Sequence, residues 1–283
     1  MKTAGRLLVL TLAVGTTPVT AGTLKCPPDS VKVGDSCIDL YEESVWQIDP
    51  VLNAELVKKV QAGTSTLTDL TNGGATPLGC FDGQSAYPAN FPSDGNWTPV
   101  PGSSPPSPGV YAVSIPGVLP STCISWFRAV QACALSGKHL ARNEEWQRAA
   151  AGTPDPGTDN RTTDCNVLTF TGDRPVNTGS RSNCKSSWGV FDMVGNVAEW
   201  VADWADRAAG CTDWTSAGTG IAGEDLSCFG GNGSHGGAFD QIPAALIRGG
   251  EWGSGTSAGV FFVVAGDNPS LASDRAFGFR CAR

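Results

Sequence analysis

Ten cysteines in 283 residues set the strongest constraint on what this chain can fold into. Lys2 and Arg6 open the sequence, an apolar run follows from Leu7 to Val14, and small residues surround Val19 to Gly22. That order of charge, short apolar stretch and small residues is the pattern of an export signal, expected over residues 1–22. All ten cysteines lie after it, from Cys26 onward, and an even set in an exported chain pairs into disulfides. Lys25 directly before Cys26 does not suit a lipid-attachment site. The closest two cysteines in the sequence, Cys123 and Cys133, are too far apart for a C-x-x-C unit, and His139 and His235 are the only imidazoles. A mixed cysteine–histidine zinc site or a three-histidine iron site is therefore hard to assemble.

The 36 glycines and 19 prolines favour turns over long regular elements, because neither residue sits well inside a helix or strand. Seven of the prolines crowd into 88–108, which reads as a Pro-rich loop. The organisation expected is a signal (1–22), an N-terminal part with that loop (23–110) and a core (111–283). Losing Lys2 and Arg6 with the signal takes the net charge from −8 to about −10. An acidic chain of this kind argues against a nucleic-acid partner and leaves room for a cation. No later segment approaches the ~20 apolar residues of a membrane helix, so no membrane span is expected. The location expected is periplasmic or extracellular. Asn96, Asn160 and Asn232 stand in N-x-S/T sites that a eukaryotic host could glycosylate.

Local patterns give two main helices. Ser125 can cap a helix in which Trp126, Ala129, Val130 and Cys133 share an apolar face, ending at Gly137. A second runs from Asn143 through Glu144, Glu145, Trp146 and Ala149 to Gly152, with acids in its first turn and glycine at its end. Cys26 and Cys37 bracket a small loop leading into a strand near Ile38 to Tyr41. Past Gly152 the chain reads as short strands, such as Ala245 to Ile247 and Val260 to Ala265, between glycine-rich turns. Glycine-rich stretches such as Gly230 to Gly237 lack the lysine and the strand-to-helix context of a phosphate loop.

Three segments in order then carry a family resemblance. Ile124-Ser-Trp-Phe-Arg-Ala-Val-Gln-Ala-Cys133 with Gly137-Lys-His-Leu-Ala-Arg-Asn-Glu-Glu-Trp146 is similar to a "V-S-W-x-x-A … G-K-R-L-P-T-E-A-E-W" stretch. Asp192-Met-Val-Gly-Asn-Val-Ala-Glu-Trp200 looks like "D-M-x-G-N-V-W-E-W". Arg248-Gly-Gly-Glu-Trp252 and Gly278-Phe-Arg-Cys281 complete the set. Together they resemble the formylglycine-generating-enzyme (sulfatase-modifying factor) family, which implies an α+β, C-type-lectin-like fold: loop-rich, with small antiparallel sheets, two main helices and disulfide staples. The resemblance further implies that Cys133 pairs with Cys281. Proximity then pairs Cys26 with Cys37, Cys165 with Cys184 and Cys211 with Cys228, leaving Cys80 with Cys123.

The resemblance also implies structural calcium, held by the side chains of Asp192 and Glu199 with the carbonyls of Gly195 and Val197, and at a second site by Asn166 and the carbonyl of Val167. Two carboxylates around a Gly-Asn turn suit a hard cation on chemical grounds as well. The other reading is that Glu199 forms a salt bridge or caps a loop while Trp200 and Trp204 fill the core. Copper is not expected. The family holds it with two cysteines after the R-G-G motif, and the aligned positions here are Ser254 and Gly259, which offer no thiolate for a soft ion.

The function expected is that of a non-catalytic module binding an unidentified protein or small-molecule ligand through 251–277, with Glu251, Trp252, Ser254, Asn268 and Asp274 as ligand-binding residues. At least one of Phe261 and Phe262 belongs to the core on alternation grounds. The window from Arg248-Gly-Gly to Gly-Phe-Arg also resembles the variable region of lectin-type binding proteins diversified by retroelements. The alternatives are an oxidoreductase of the formylglycine-generating type, or another enzyme acting on exported proteins, and a structural envelope protein.

Overall fold

The computed structural model describes residues 24–94, 109–155, 159–168, 174–206 and 243–283. The expected signal, most of the Pro-rich loop, Asn96, Asn232, His235 and the Cys211/Cys228 pair lie outside the described residues. In chain order the elements are β1 (Ser30–Val33), β2 (Ser36–Asp39), β3 (Ser44–Gln47), α1 (Ala54–Gln61), α2 (Leu67–Asn72), β4 (Thr76–Leu78), β5 (Val110–Val113), α3 (Trp126–Leu135), β6 (His139–Leu140), α4 (Asn143–Ala149), β7 (Ala198–Asp206), β8 (Pro243–Gly249), β9 (Gly259–Val264), β10 (Phe277–Phe279) and β11 (Cys281–Ala282).

These strands make three small sheets in the orders β1-β2-β11-β6, β10-β7-β8-β9 and β4-β3-β5. The third sheet shows why β5, Val-Tyr-Ala-Val, reads as an unbroken apolar run. Val45 of β3 with Val110 and Ala112 of β5 face one cluster, shared with Phe91, Ala129, Trp200 and Phe279. Trp46, Tyr111 and Val113 point the other way, onto Leu56 and Val60 of α1 and Leu70 of α2. Both faces are covered, so alternation remains in the backbone but disappears from the polarity pattern. The division drawn at 110/111 falls inside β5, and strands from the N-terminal part pair with the chain's end: Ile38 of β2 opposes Ala282 of β11.

The two helices read from the sequence are present. The Ser125 hydroxyl accepts the Arg128 N–H, Ala129, Ala132 and Cys133 are buried, and Gly137 takes a left-handed φ of 71° after the last turn. α4 begins at Asn143, with Arg142 as its cap residue and Glu145 accepting the Arg142 N–H at 2.9 Å. α1 and α2 are additional. α1 buries only Leu56 and Val60, and α2 is announced by a Thr66–Asp69 capping box.

Disulfides join Cys26 to Cys37, Cys80 to Cys123, Cys133 to Cys281 and Cys165 to Cys184, which leaves no free cysteine among the described residues. The bond from Cys133 ties α3 to β11 and so fixes the C-terminus against the first helix of the core. No described helix is long and apolar enough to cross a membrane.

Candidate functional site

The Arg248-Gly-Gly motif closes β8 and turns the chain toward the segment expected to bind. Gly249 and Gly250 have φ of 85° and 78°, and a Cβ on Gly250 would lie 2.8 Å from the Ala258 Cα, so neither position accepts a side chain without strain. Gly259 pairs with Gly249 across β9, and a Cβ on Gly250 would lie 3.2 Å from the Cβ of Ser254. Positions 254 and 259 therefore flank the same double-glycine turn. The side chains they present there are a hydroxyl and a hydrogen.

Around that turn Glu251 works locally: its backbone N–H donates to the Ser254 hydroxyl at 3.0 Å and its Oε2 accepts the Gly253 N–H at 2.7 Å. The Trp252 N–H donates to the Asn196 carbonyl, and its ring meets Phe81 edge-on at 6.0 Å. The Arg275 guanidinium lies 4.8 Å from the centroid of Phe81 and donates to the Cys80 carbonyl. Asn268 and Asp274 use their carboxamide and carboxylate oxygens to accept N–H groups two residues on, at Ser270 and Ala276. Both shape their own loop, which is stapled to the core where Cys123 donates to the Asp274 carbonyl and Trp126 to that of Pro269. Of the phenylalanine pair, Phe262 is buried and Phe261 is 58 % exposed. Trp200 is fully buried, whereas Trp204 is 40 % exposed and packs edge-on against Trp126 and Phe127. Trp204 therefore borders the core and does not fill it.

The Asp192–Glu199 segment is a tight turn with positive φ at Asp192, Gly195 and Asn196. A Cβ on Gly195 would lie 2.3 Å from the Asn166 carbonyl oxygen, so only glycine lets the turn seat against Asn166 and Val167. Asn196 seals that junction: its N–H donates to the Asn166 carbonyl and its Oδ1 accepts from the Asn166 amide. The residues assigned to two separate calcium sites thus meet at one place.

The two carboxylates of the turn differ sharply. Glu199 is well partnered: Oε1 takes Arg280 Nη2 at 2.8 Å, and Oε2 takes Arg280 Nε at 3.2 Å and the Trp146 indole N–H at 2.8 Å. A dication at Glu199 would have to share that carboxylate with the fully buried Arg280 guanidinium, so Asp192 is the less encumbered of the two acids. Asp192 accepts the Gly179 N–H on Oδ2, while Oδ1 is buried and unbonded. Burial, with Glu199 adding, pushes the Asp192 carboxyl up to about 7 against the Gly179 N–H and Arg280. Glu42 sits beside it, accepting from Asn196 Nδ2 and the Val197 N–H, and burial and then the charge of Asp192 hold it above the usual carboxylate range.

A second buried charge cluster lies one residue along. Lys138 Nζ hydrogen-bonds Asp39 and lies 2.9 Å from Asp29 Oδ2 and 3.6 Å from Glu43 Oε1. Burial alone would lower Lys138, but Asp39, Glu43 and Asp29 outweigh it and keep it protonated. Asp39 Oδ1 and Glu43 Oε2 are both buried without a hydrogen-bond partner. Asp39, Glu43 and Cys281 are the one metal-like grouping among the described residues, but the Cys281 sulfur is in a disulfide and Lys138 already fills the cation's place. His139 serves structure: its Nε2 lies 3.0 Å from Glu145 Oε2. Burial opposes ionisation of Glu145, but the bonds from His139, Ser36 and Arg142 bring it down to about 2.

Phe81, Arg275, Glu42 and the Lys138 cluster were not singled out from the sequence. Two adjacent acids, Glu42-Glu43, inside the apolar stretch from Ile38 to Trp46 were the available signal for the last two.

Comparison with known proteins adds three findings. A stretch of 131 residues is 30 % identical to the formylglycine-generating enzyme of Thermomonospora curvata, covering 38 % of this chain and 42 % of that protein. Among solved structures, the Major Tropism Determinant P3c variant aligns over 91 % of this chain and 52 % of its own, at 20 % identity and a TM-score of 0.44. The structure of CarF aligns over 90 % and 92 %, at 15 % identity and a TM-score of 0.38. The profile of the sulfatase-modifying factor enzyme 1-like domain matches residues 11–283, and the chain belongs to that family.

Proposed function

We propose that this chain is an exported, non-catalytic binding module built on the formylglycine-generating-enzyme fold. The observation that carries the reading is the pair of positions beside the Gly249-Gly250 turn, Ser254 and Gly259, which supply no sulfur for a copper ion. The eight described cysteines are all in disulfides, so no thiolate among them can substitute. Disulfides of this number support an oxidising compartment. The binding face is formed by half-buried Trp252 and exposed Arg275, which both pack on the buried ring of Phe81, an aromatic and cationic combination of the kind that dominates recognition surfaces. Purified, disulfide-intact protein is expected to show no titratable thiol, no tight binding of copper(I) and no oxygen uptake with a cysteine-containing peptide. One equivalent of tightly held copper(I) together with oxygen consumption would defeat the reading.

Structural calcium belongs to the same proposal, with Asp192 as its principal carboxylate. The unbonded Oδ1 of Asp192 supports this, since a cation there would compensate a charge that burial disfavours. Millimolar calcium is expected to raise the melting temperature of the chelator-treated protein by several degrees, and Asp192→Asn to abolish the rise. A melting temperature indifferent to calcium removes the ion from the account.

A further inference from the structure

A cavity of about 230 Å³ opens between β3, β4 and the turns at 82–84 and 117–119. Its walls are Trp46, Pro77, Val118 and Leu119. The polar side chains deeper in it are already committed. The Ser44 hydroxyl donates to the Val113 carbonyl and accepts the Trp46 indole N–H. Ser121 donates to the Leu78 carbonyl and accepts the Val45 N–H. Gln84 accepts from Phe81 and donates to Leu119 and Pro120. These committed side chains leave an inserted group a mainly apolar surface, which penalises a buried hydroxyl, amide or carboxylate.

The mouth is different. Asp82 lines it with a carboxylate 96 % exposed, beside Asn177, and the cation near it is Arg174, 3.8 Å away and itself about half exposed. An exposed pair at that distance exchanges readily for another cation. The cavity is smaller than the ~300–1,000 Å³ usual for small-molecule sites, so it suits a single side chain better than a cofactor. An apolar shaft with an acid at the rim matches a side chain that buries methylenes and keeps an ammonium in water.

We propose that this cleft receives one lysine side chain of a protein partner, its methylenes against Trp46 and its ammonium at Asp82. The chain's net charge of −8 favours approach of a basic partner. Asp82 at the mouth directly follows Phe81, on which Trp252 packs, so one chain segment contributes to both the cleft and the face assigned above. The inference rests on the binding-module reading and names the chemistry of its partner.

The test uses N-acetyl-lysine methylamide as probe, followed by ligand-observed NMR on the full chain at low salt. Saturable binding is expected, about 3–5-fold tighter than that of the uncharged norleucine analogue, a difference in the range of an exposed charge pair. Asp82→Asn should erase that preference without changing the melting temperature, and Val118→Trp should fill the cleft and abolish binding of both probes. The lack of saturable binding, equal affinity for the two probes, or a preference that survives Asp82→Asn overturns the proposal. None of these outcomes depends on copper, so the cleft and the non-catalytic reading fail separately.

Discussion

Replacing Lys138 with methionine is expected to destabilise the protein by about 3–5 kcal/mol, the range for breaking a buried ion pair by removing one partner. Methionine keeps the length of the side chain, so the lost charge dominates the effect. What remains is Asp39 and Glu43, both fully buried, and nearly buried Asp29, with Arg283 as the one ion-pair partner among the described residues, 3.0 Å from Asp29 and 3.7 Å from Asp39. The cluster also holds the seam between the two ends of the chain: Asp39 ends β2, Glu43 accepts the Cys281 N–H, and Lys138 precedes β6. Urea unfolding of Lys138→Met should show the loss. Lys58→Met makes the control, because Lys58 and its partner Glu55 are 69 % and 83 % exposed and such pairs contribute little. Similar small changes for both variants would mean that the buried carboxyls are neutral without Lys138, and that the charge account of this seam is wrong.

The same seam shows what the sequence could reveal. α3 and α4 were legible because each carries its own start and stop signals, Ser125 before one and Gly137 after it, which act within a few residues. The sheet orders were not, since β2 pairs with β11 and β10 runs parallel to β7, and no local pattern encodes a partner so far along the chain. α1 and α2 were missed although Thr66 and Asp69 spell a capping box; their apolar faces are too thin to stand out by periodicity. At the candidate site the identities at 254 and 259 were readable as letters. That Glu199 faces Arg280, and that Asp192 has an oxygen unbonded, depends on side-chain directions that only packing sets.

The second large effect concerns acid. Burial holds the Glu43 carboxyl well above its ordinary value, against the pull of Lys138, while Asp39 beside it adds to the rise. In the unfolded chain Glu43 titrates near the ordinary glutamate value, ~4.3. Below that value both states hold the proton and its contribution to stability is complete. Above it the unfolded chain releases the proton first, so stability falls by about 1.4 kcal/mol per pH unit for this one group, until the folded carboxyl ionises too. Groups of the opposite kind set the acid side: Glu145 and Asp69, both held at about 2, stabilise the fold above the ordinary carboxylate range and lose that contribution as pH falls toward 2. Stability is therefore expected to be greatest in mild acid, near pH 5, and to decline toward neutrality. Glu43→Gln carries a permanent N–H where the proton would sit and removes the titrating group. Urea unfolding at pH 5 and pH 7 in chelator should show the variant losing less stability than the parent between the two conditions, because the raised Glu43 carboxyl contributes to the decline only in the parent. Parallel pH profiles for parent and variant would show that Glu43 is ionised in the folded state, with the Lys138 ammonium compensating both carboxylates at once.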